Sequence, residues 1–244
     1  ALLTGCIMPL AFGRVHEASV RVLARNGCEV IAPPEQACCG ALHAHNGDRP
    51  TAIALARRNI DAFLNASVDV IVVNSAGCGS AMKEYGELLD ADPGYAEKAH
   101  RFSTMVKDIH EFLVELPFQP PVGRIDAEVT YQDPCHRAHA QRISRAPREI
   151  LAAIPGLRLV EMEHADRCCG SAGVYSLTQA EMSLRLLDDK IRDLAATGAT
   201  VIATANPGCM TQLEAGLRRH RLPGRVLHVV ELLDEAYRRS ADGV

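Results

Sequence analysis

A chain of 244 residues, 48% apolar and 23% charged, has the composition of a globular protein and enough length for two cored domains. A net charge of −4, no Trp and 4% aromatics argue against a nucleic-acid protein, which needs a basic face and stacking platforms. No apolar run approaches the ~18 residues of a membrane span, and no signal peptide is visible.

In chain order, Leu2 to Cys6 reads as a short apolar strand ending at a cysteine. Val15 to Ala24 has helical spacing with Gly27 as its stop signal. Glu29 to Ala32 reads as a second strand, ended by Pro33-Pro34, and the turn Cys38-Cys39-Gly40 follows. Asp48 caps a long helix through about Leu64. The largely apolar run Val68 to Val73 has the character of a strand buried on both faces of a parallel sheet. It delivers Ser75-Ala76-Gly77-Cys78 at its carboxyl end. A helix continues past Met82 and another spans Ala96 to Met105. Leu116 to Gly123, with three prolines, is the best linker. The pattern then restarts. Strands are expected at Glu128 to Tyr131, Leu157 to Met162, Thr200 to Thr204 and Val226 to His228. Helices are expected over Arg148 to Ala153, Thr178 to Ala196 and Glu231 to Arg238.

The cysteines restart with it. Cys6, Cys38, Cys39 and Cys78 recur as Cys135, Cys168, Cys169 and Cys209, displaced by 129, 130, 130 and 131 residues. Such a drift is what small loop insertions in a duplicated domain produce. The expected fold is therefore α/β: two tandem Rossmann-like parallel-sheet domains related by pseudo-two-fold duplication, over 1–120 and 124–244. Strands alternating with helices imply parallel βαβ units, whose ligands sit beyond the carboxyl ends of the strands. All eight repeated cysteines lie at or just after strand ends, so the four of each half are expected at one sheet edge.

Four thiols per half are the number that closes a tetrahedral metal site or holds a four-iron cluster. A disulfide framework fits poorly, because the chain does not need staples and adjacent cysteines rarely reach disulfide geometry. A reducing, cytosolic setting follows. Thiolates need a lowered pKa, which helix N-termini supply, and Cys78, Cys135 and Cys209 each stand where a helix begins. Gly40, Gly77, Gly79, Gly170, Gly173 and Gly208 flank the cysteines and let backbone N–H groups approach sulfur, besides serving as loop glycines. Structural zinc, in one half or both, is the alternative, but its usual C-x2-4-C knuckles are absent. Cys28 has no counterpart and reads as a buried thiol in a strand. His43, His45, His136 and His139 read as polar rim residues near the cysteines. Arg137, Arg142, Arg145 and Arg148 read as a solvated basic face. No phosphate-binding loop, nucleophile elbow or paired-carboxylate signature offers a site for an organic substrate.

The duplicated C…C-C-G…C pattern resembles the cysteine-rich CCG-domain family. The wording around it is most similar to the branch holding the iron–sulfur subunit of glycolate oxidase. The stretches concerned are Leu3-Thr4-Gly5-Cys6 with Met8-Pro9, Cys38 to His43, Ala76-Gly77-Cys78, Tyr131 to His136, Cys168 to Gly173 and Ala205 to Cys209. The resemblance implies an electron-transfer subunit with one 4Fe–4S cluster per half. Cys6, Cys38, Cys39 and Cys78 would hold the first, and Cys135, Cys168, Cys169 and Cys209 the second. A separate flavin-containing subunit would oxidise glycolate. Electrons would pass toward the quinone pool, with the chain cytoplasmic or peripheral on the inner face of the membrane. Family members usually begin with a ferredoxin-like region, which is missing here, so the resemblance implies a fragment or processed chain. It also implies a comparison with the heterodisulfide reductase branch, where a fifth cysteine stands three residues before the last. Here those positions are Ser75 and Asn206. Two alternatives stay open: a heterodisulfide-reductase-like catalytic cluster protein and a zinc-stabilised partner-binding scaffold.

Overall fold

The computed structural model describes residues 1–241 and divides into two units, Ala1–Leu113 and the chain from Val114 onward. Among the described residues no helix is long and apolar enough to cross a membrane.

In the first unit the principal helices are α1 (Gly13–Arg25), α2 (Arg49–Asn65), α3 (Ala76–Lys83) and α4 (Ala96–Met105). Asp48 accepts a hydrogen bond from Thr51 N–H at 3.3 Å, and Pro50 lies in the first turn of α2, so this start is locally encoded. The strands are β1 (Ile71–Val73) and β2 (Val106–Asp108), paired parallel. Leu2 adds one parallel bridge to Val72, and Leu2 N–H donates to Ile31 O at 2.8 Å.

Two expected strands are thus reduced. Leu2–Cys6 shrinks to that single bridge, because Gly5 takes a left-handed φ of 70° and turns the chain away. Glu29–Ala32 forms no strand: Ile31 is 40% exposed at an open edge, and the prolines behind it donate no hydrogen bonds. Conversely β2 has no sequence signature. Its Val106-Lys107-Asp108 is drawn into the sheet by the neighbouring β1, and buried Asp108 is stabilised by accepting from both the backbone N–H and the ring Nδ1 of His110. Phe63, Tyr85 and Phe102 fill the core over this sheet, with Tyr85 stacked on Phe102 at 5.3 Å and Phe63 edge-on to it at 6.0 Å.

The second unit holds a four-stranded, all-parallel sheet of β3 (Ala127–Tyr131), β4 (Leu157–Leu159), β5 (Val201–Thr204) and β6 (Arg225–His228), in the order β4-β3-β5-β6. Its principal helices are α5 (Arg145–Ala152), α6 (Ala180–Ala196), α7 (Pro207–His220) and α8 (Val229–Ala241). β5 is buried at every position, as the apolar run Val201-Ile202-Ala203 requires. The expected helix from Thr178 is broken. A single turn, Tyr175–Thr178, ends at Gln179, whose non-helical backbone (φ −130°, ψ 51°) starts α6 afresh. α2 and α6 are both 17 residues long, and their ends are displaced by the 131 residues that separate Cys78 from Cys209.

Candidate metal centres

Each unit delivers its cysteines from neighbouring backbone segments. The bridged pair Leu2 and Val72 sends one chain to Cys6 and the other, through β1, to Cys78. In the second unit β3 and β5 are adjacent, and Cys135 and Cys209 follow their carboxyl ends. Cys78 and Cys209 are the third residues of α3 and α7, within the first turn, where free N–H groups and the helix dipole favour a thiolate. Cys135 precedes a single turn of π-helix, His136–Ala140, rather than an α-helix.

Each adjacent pair is followed by a glycine in the left-handed region, which only glycine adopts freely. Gly40 has φ 77° and its N–H lies 3.5 Å from Cys38 Sγ; Gly170 has φ 88° and its N–H lies 3.3 Å from Cys168 Sγ. A β-carbon on Gly40 would meet Ala52 of α2 at 3.3 Å, and one on Gly170 would meet the backbone oxygen of Ser183 of α6 at 2.4 Å. These are the same position on two helices of equal length. Each Cys-Cys turn is pressed onto the long helix behind it, where only glycine fits.

The thiols converge in both units, and in the same order. Cys6 contacts Cys38, Cys38 contacts Cys39, and Cys39 contacts Cys78. Likewise Cys135 contacts Cys168, Cys168 contacts Cys169, and Cys169 contacts Cys209. All nine cysteines are free thiols. Cys38 is pulled down to about 5, chiefly by the thiol of Cys39, with the Gly40 N–H and Cys6 helping. Cys6 is pushed up to about 11 by burial and by Cys38. Cys39 is driven well above the usual thiol range by its neighbours Cys38 and Cys78. The second unit repeats this, with Cys168 lowered by Cys135 and Cys169, and Cys135 and Cys169 raised by Cys168. Cys78 and Cys209 are lowered, first by Cys39 and Cys169. Four thiols this close cannot all ionise by themselves. A bound cation would release the remaining protons, so the donor set fits a metal or iron–sulfur group.

Ser75 and Asn206 also reach these sites. Each takes the N-cap position of its helix, yet neither side chain caps it. Instead Asn206 Nδ2 donates to Cys209 Sγ at 3.5 Å, and Ser75 hydrogen-bonds Cys78 and helps lower its pKa.

Other expected features are corrected. Cys28 is half-buried in irregular backbone, not buried in a strand, and takes no part in either thiol set. The basic run is not a solvated face. Arg137 is fully buried beside the Tyr131 ring, 5.3 Å from its centroid. Arg148 lies over the same ring and pairs with Asp133 at 2.7 Å and Glu161 at 2.7 Å. Only Arg142 and Arg145 are exposed as expected. His43 meets Asp48 at 3.1 Å, exposed His139 meets Asp166, and His136 Nδ1 comes within 3.8 Å of Cys135 Sγ.

Three site residues escape sequence reasoning. Asn59 of α2 accepts from Ala37 N–H at 2.7 Å and donates to Cys38 O at 3.0 Å. Tyr85 Oη donates to Cys39 O at 2.8 Å. Lys190 of α6 braces the loop before Cys168. The one available signal was alignment of the two long helices on the cysteine repeat.

The CCG family model, described as a cysteine-rich domain, matches residues 1–83 and 129–214. The chain belongs to the CCG cysteine-rich domain family. Two family relatives are a "Probable glycolate oxidase iron-sulfur subunit" of Bacillus subtilis, 43% identical, and the "Glycolate oxidase iron-sulfur subunit" of Escherichia coli, 34% identical. The matches cover 97% and 98% of this chain but 54% and 58% of those proteins, so the chain spans little more than half their length. "Lactate utilization protein A" of Exiguobacterium is 29% identical, covering 98% of each chain.

Proposed function

We propose that the chain is an iron–sulfur electron-transfer subunit of a 2-hydroxy-acid oxidase, with one cluster per unit. Cys6, Cys38, Cys39 and Cys78 hold the first, and Cys135, Cys168, Cys169 and Cys209 the second. The observation that carries this reading is the convergence of four free thiols in each unit, in the same contact order. The relatives' names support the oxidoreductase role. When bound, such a group takes up and passes on single electrons. The chain's own residues would hold it through thiolate sulfur, with the N–H groups of Gly40 and Gly170 donating to the sulfurs of Cys38 and Cys168. The buried Cys39 and Cys169 hold it away from water.

Iron–sulfur is favoured over zinc because the C-x2-4-C knuckles usual in zinc sites are absent from the sequence. A cubane 4Fe–4S cluster is favoured over a noncubane one, because Ser75 and Asn206 offer hydrogen-bond donors where a fifth thiolate would stand.

The two domains expected over 1–120 and 124–244 are read as Rossmann-like and descended from one duplicated ancestor. A flavin-containing partner oxidises glycolate or a similar hydroxy acid, and the electrons continue toward quinone on the cytoplasmic side of a membrane. The test is purification without oxygen followed by iron, sulfide and zinc analysis. The expected result is a brown protein with ~4 irons and as many sulfides per unit. Stoichiometric zinc without acid-labile sulfide overturns the reading.

A further inference from the structure

The two thiol sets are matched in position but not in their surroundings. Lys190 is the eleventh residue of α6, and the eleventh residue of α2 is Asn59. Both side chains are fully buried, and both tie the loop leading to the cysteine pair onto the long helix. Asn59 does so as a neutral amide, to Ala37 N–H, Cys38 O and Tyr85 Oη. Lys190 does so as an ammonium, donating to His164 O at 2.5 Å, Ala165 O at 3.3 Å and Met162 Sδ at 3.8 Å. A second difference follows the same register. Two residues after Cys135 stands Arg137, fully buried; two residues after Cys6 stands Met8, buried and apolar.

A buried ammonium is costly unless an anion answers it. Carbonyls and a thioether satisfy its hydrogen bonds but carry no net charge. Asp193, on the next turn of α6, is the foremost negative charge acting on Lys190, and exposed Asp166 acts on it more weakly. Lys190 also acts on the thiols of the second set: it favours the thiolates of Cys168 and Cys209, and Cys169 acts on it in turn. Among the described residues of the first unit no lysine or arginine is buried. The titratable base acting on the first set is His43, which is partly exposed and already hydrogen-bonded to Asp48.

Resting on the iron–sulfur reading above, we propose that Lys190 is the fixed counter-charge of the second site and makes it the higher-potential, electron-collecting site of the pair. Reduction adds negative charge to a thiolate-bound cluster, and a nearby buried cation stabilises the reduced form. Net charge near a cluster is among the factors that set its potential. Asn59 supplies the same brace without the charge, so the first site stays lower. Electrons entering the chain therefore settle at the second site.

The experiment is an EPR-monitored redox titration of the anaerobically prepared full chain. The sites are assigned with the single-site variants Cys39→Ala and Cys169→Ala. In Cys39→Ala, which keeps the second site, the midpoint should lie above that of Cys169→Ala. Lys190→Gln keeps donors for the loop carbonyls and removes the charge; Lys190→Met removes both. Each should shift the reduction equilibrium of the second site at least tenfold toward the oxidised form, about 59 mV for one electron. The first site should not move. A purely bracing role predicts that Lys190→Gln leaves the midpoint in place, and that result overturns the proposal. So does a wild-type chain whose first site has the higher midpoint, a comparison that needs no Lys190 variant. Clusters present with unmoved midpoints sink this inference alone, whereas no cluster in either unit sinks the iron–sulfur reading and this inference together.

Discussion

The two glycines behind the cysteine pairs offer a quantitative test. Alanine at Gly40 or Gly170 meets the same backbone penalty, because both residues have left-handed φ, and a β-carbon there costs ~1–2 kcal/mol. The packing penalties differ. At Gly40 the nearest atom, Ala52 Cα at 3.3 Å, has to give by a few tenths of an ångström. At Gly170 the β-carbon would stand 2.4 Å from the Ser183 carbonyl oxygen, and α6 must retreat by about 1 Å to restore ordinary contact. Ser183 is poorly placed to retreat. Its Oγ donates to Gly170 O at 2.8 Å and accepts from Gln212 Nε2 at 3.1 Å, which ties α6 to both the turn and α7. Overpacking of this kind costs ~1–3 kcal/mol. The expected losses are therefore ~1–2 kcal/mol for Gly40→Ala and ~2–5 kcal/mol for Gly170→Ala. Urea denaturation of the metal-free chain measures both, and iron retained per protein reports whether the turn still presents its sulfurs. Equal losses for the two variants, or a smaller loss at Gly170, would refute the reasoning.

Cys39→Ala should empty the first site and spare the second, and Cys169→Ala should do the reverse; loss of both sites in either folded variant contradicts one site per unit. Alkylation of the metal-free chain, followed by peptide mass spectrometry, should label Cys38 already at mildly acidic pH, since its thiolate forms above about 5. Cys6, though exposed, is held near 11 and should react only in alkali, so labelling of Cys6 before Cys38 at neutral pH contradicts the thiol network. Asn206→Ala removes a donor to Cys209 Sγ and should lower the second site's midpoint without releasing iron; an unchanged midpoint means that hydrogen bond has no electronic effect. The chain by itself should not turn over glycolate until a flavin partner is added, and turnover by the purified chain would contradict an electron-transfer role.

Much of the site was legible because its signals are local and repeated. Two copies of C…C-C-G…C need no tertiary information to be matched, and the start of α2 is written in Asp48, Pro50 and Thr51. The apolar run ending at Val73 and the Val201–Thr204 stretch announced buried parallel strands, because a strand covered on both faces is apolar at successive positions. What escaped was whatever depends on a distant segment. Val106–Asp108 is a strand only because β1 lies beside it, with its one carboxylate answered by His110. Glu29–Ala32 has strand-like residues but little to pair with, so a single hydrogen bond from Leu2 is all that forms. Arg137 and Lys190 look like surface residues in sequence, since a lysine on an amphipathic helix normally faces water. Their burial was decided when Tyr131 packed under one and the loop of residues 162–165 folded over the other. The sequence alone determined which atoms could hold a metal group. Only the tertiary structure decided which charges surround each set, because the energy of a buried charge depends on neighbours that chain order does not specify.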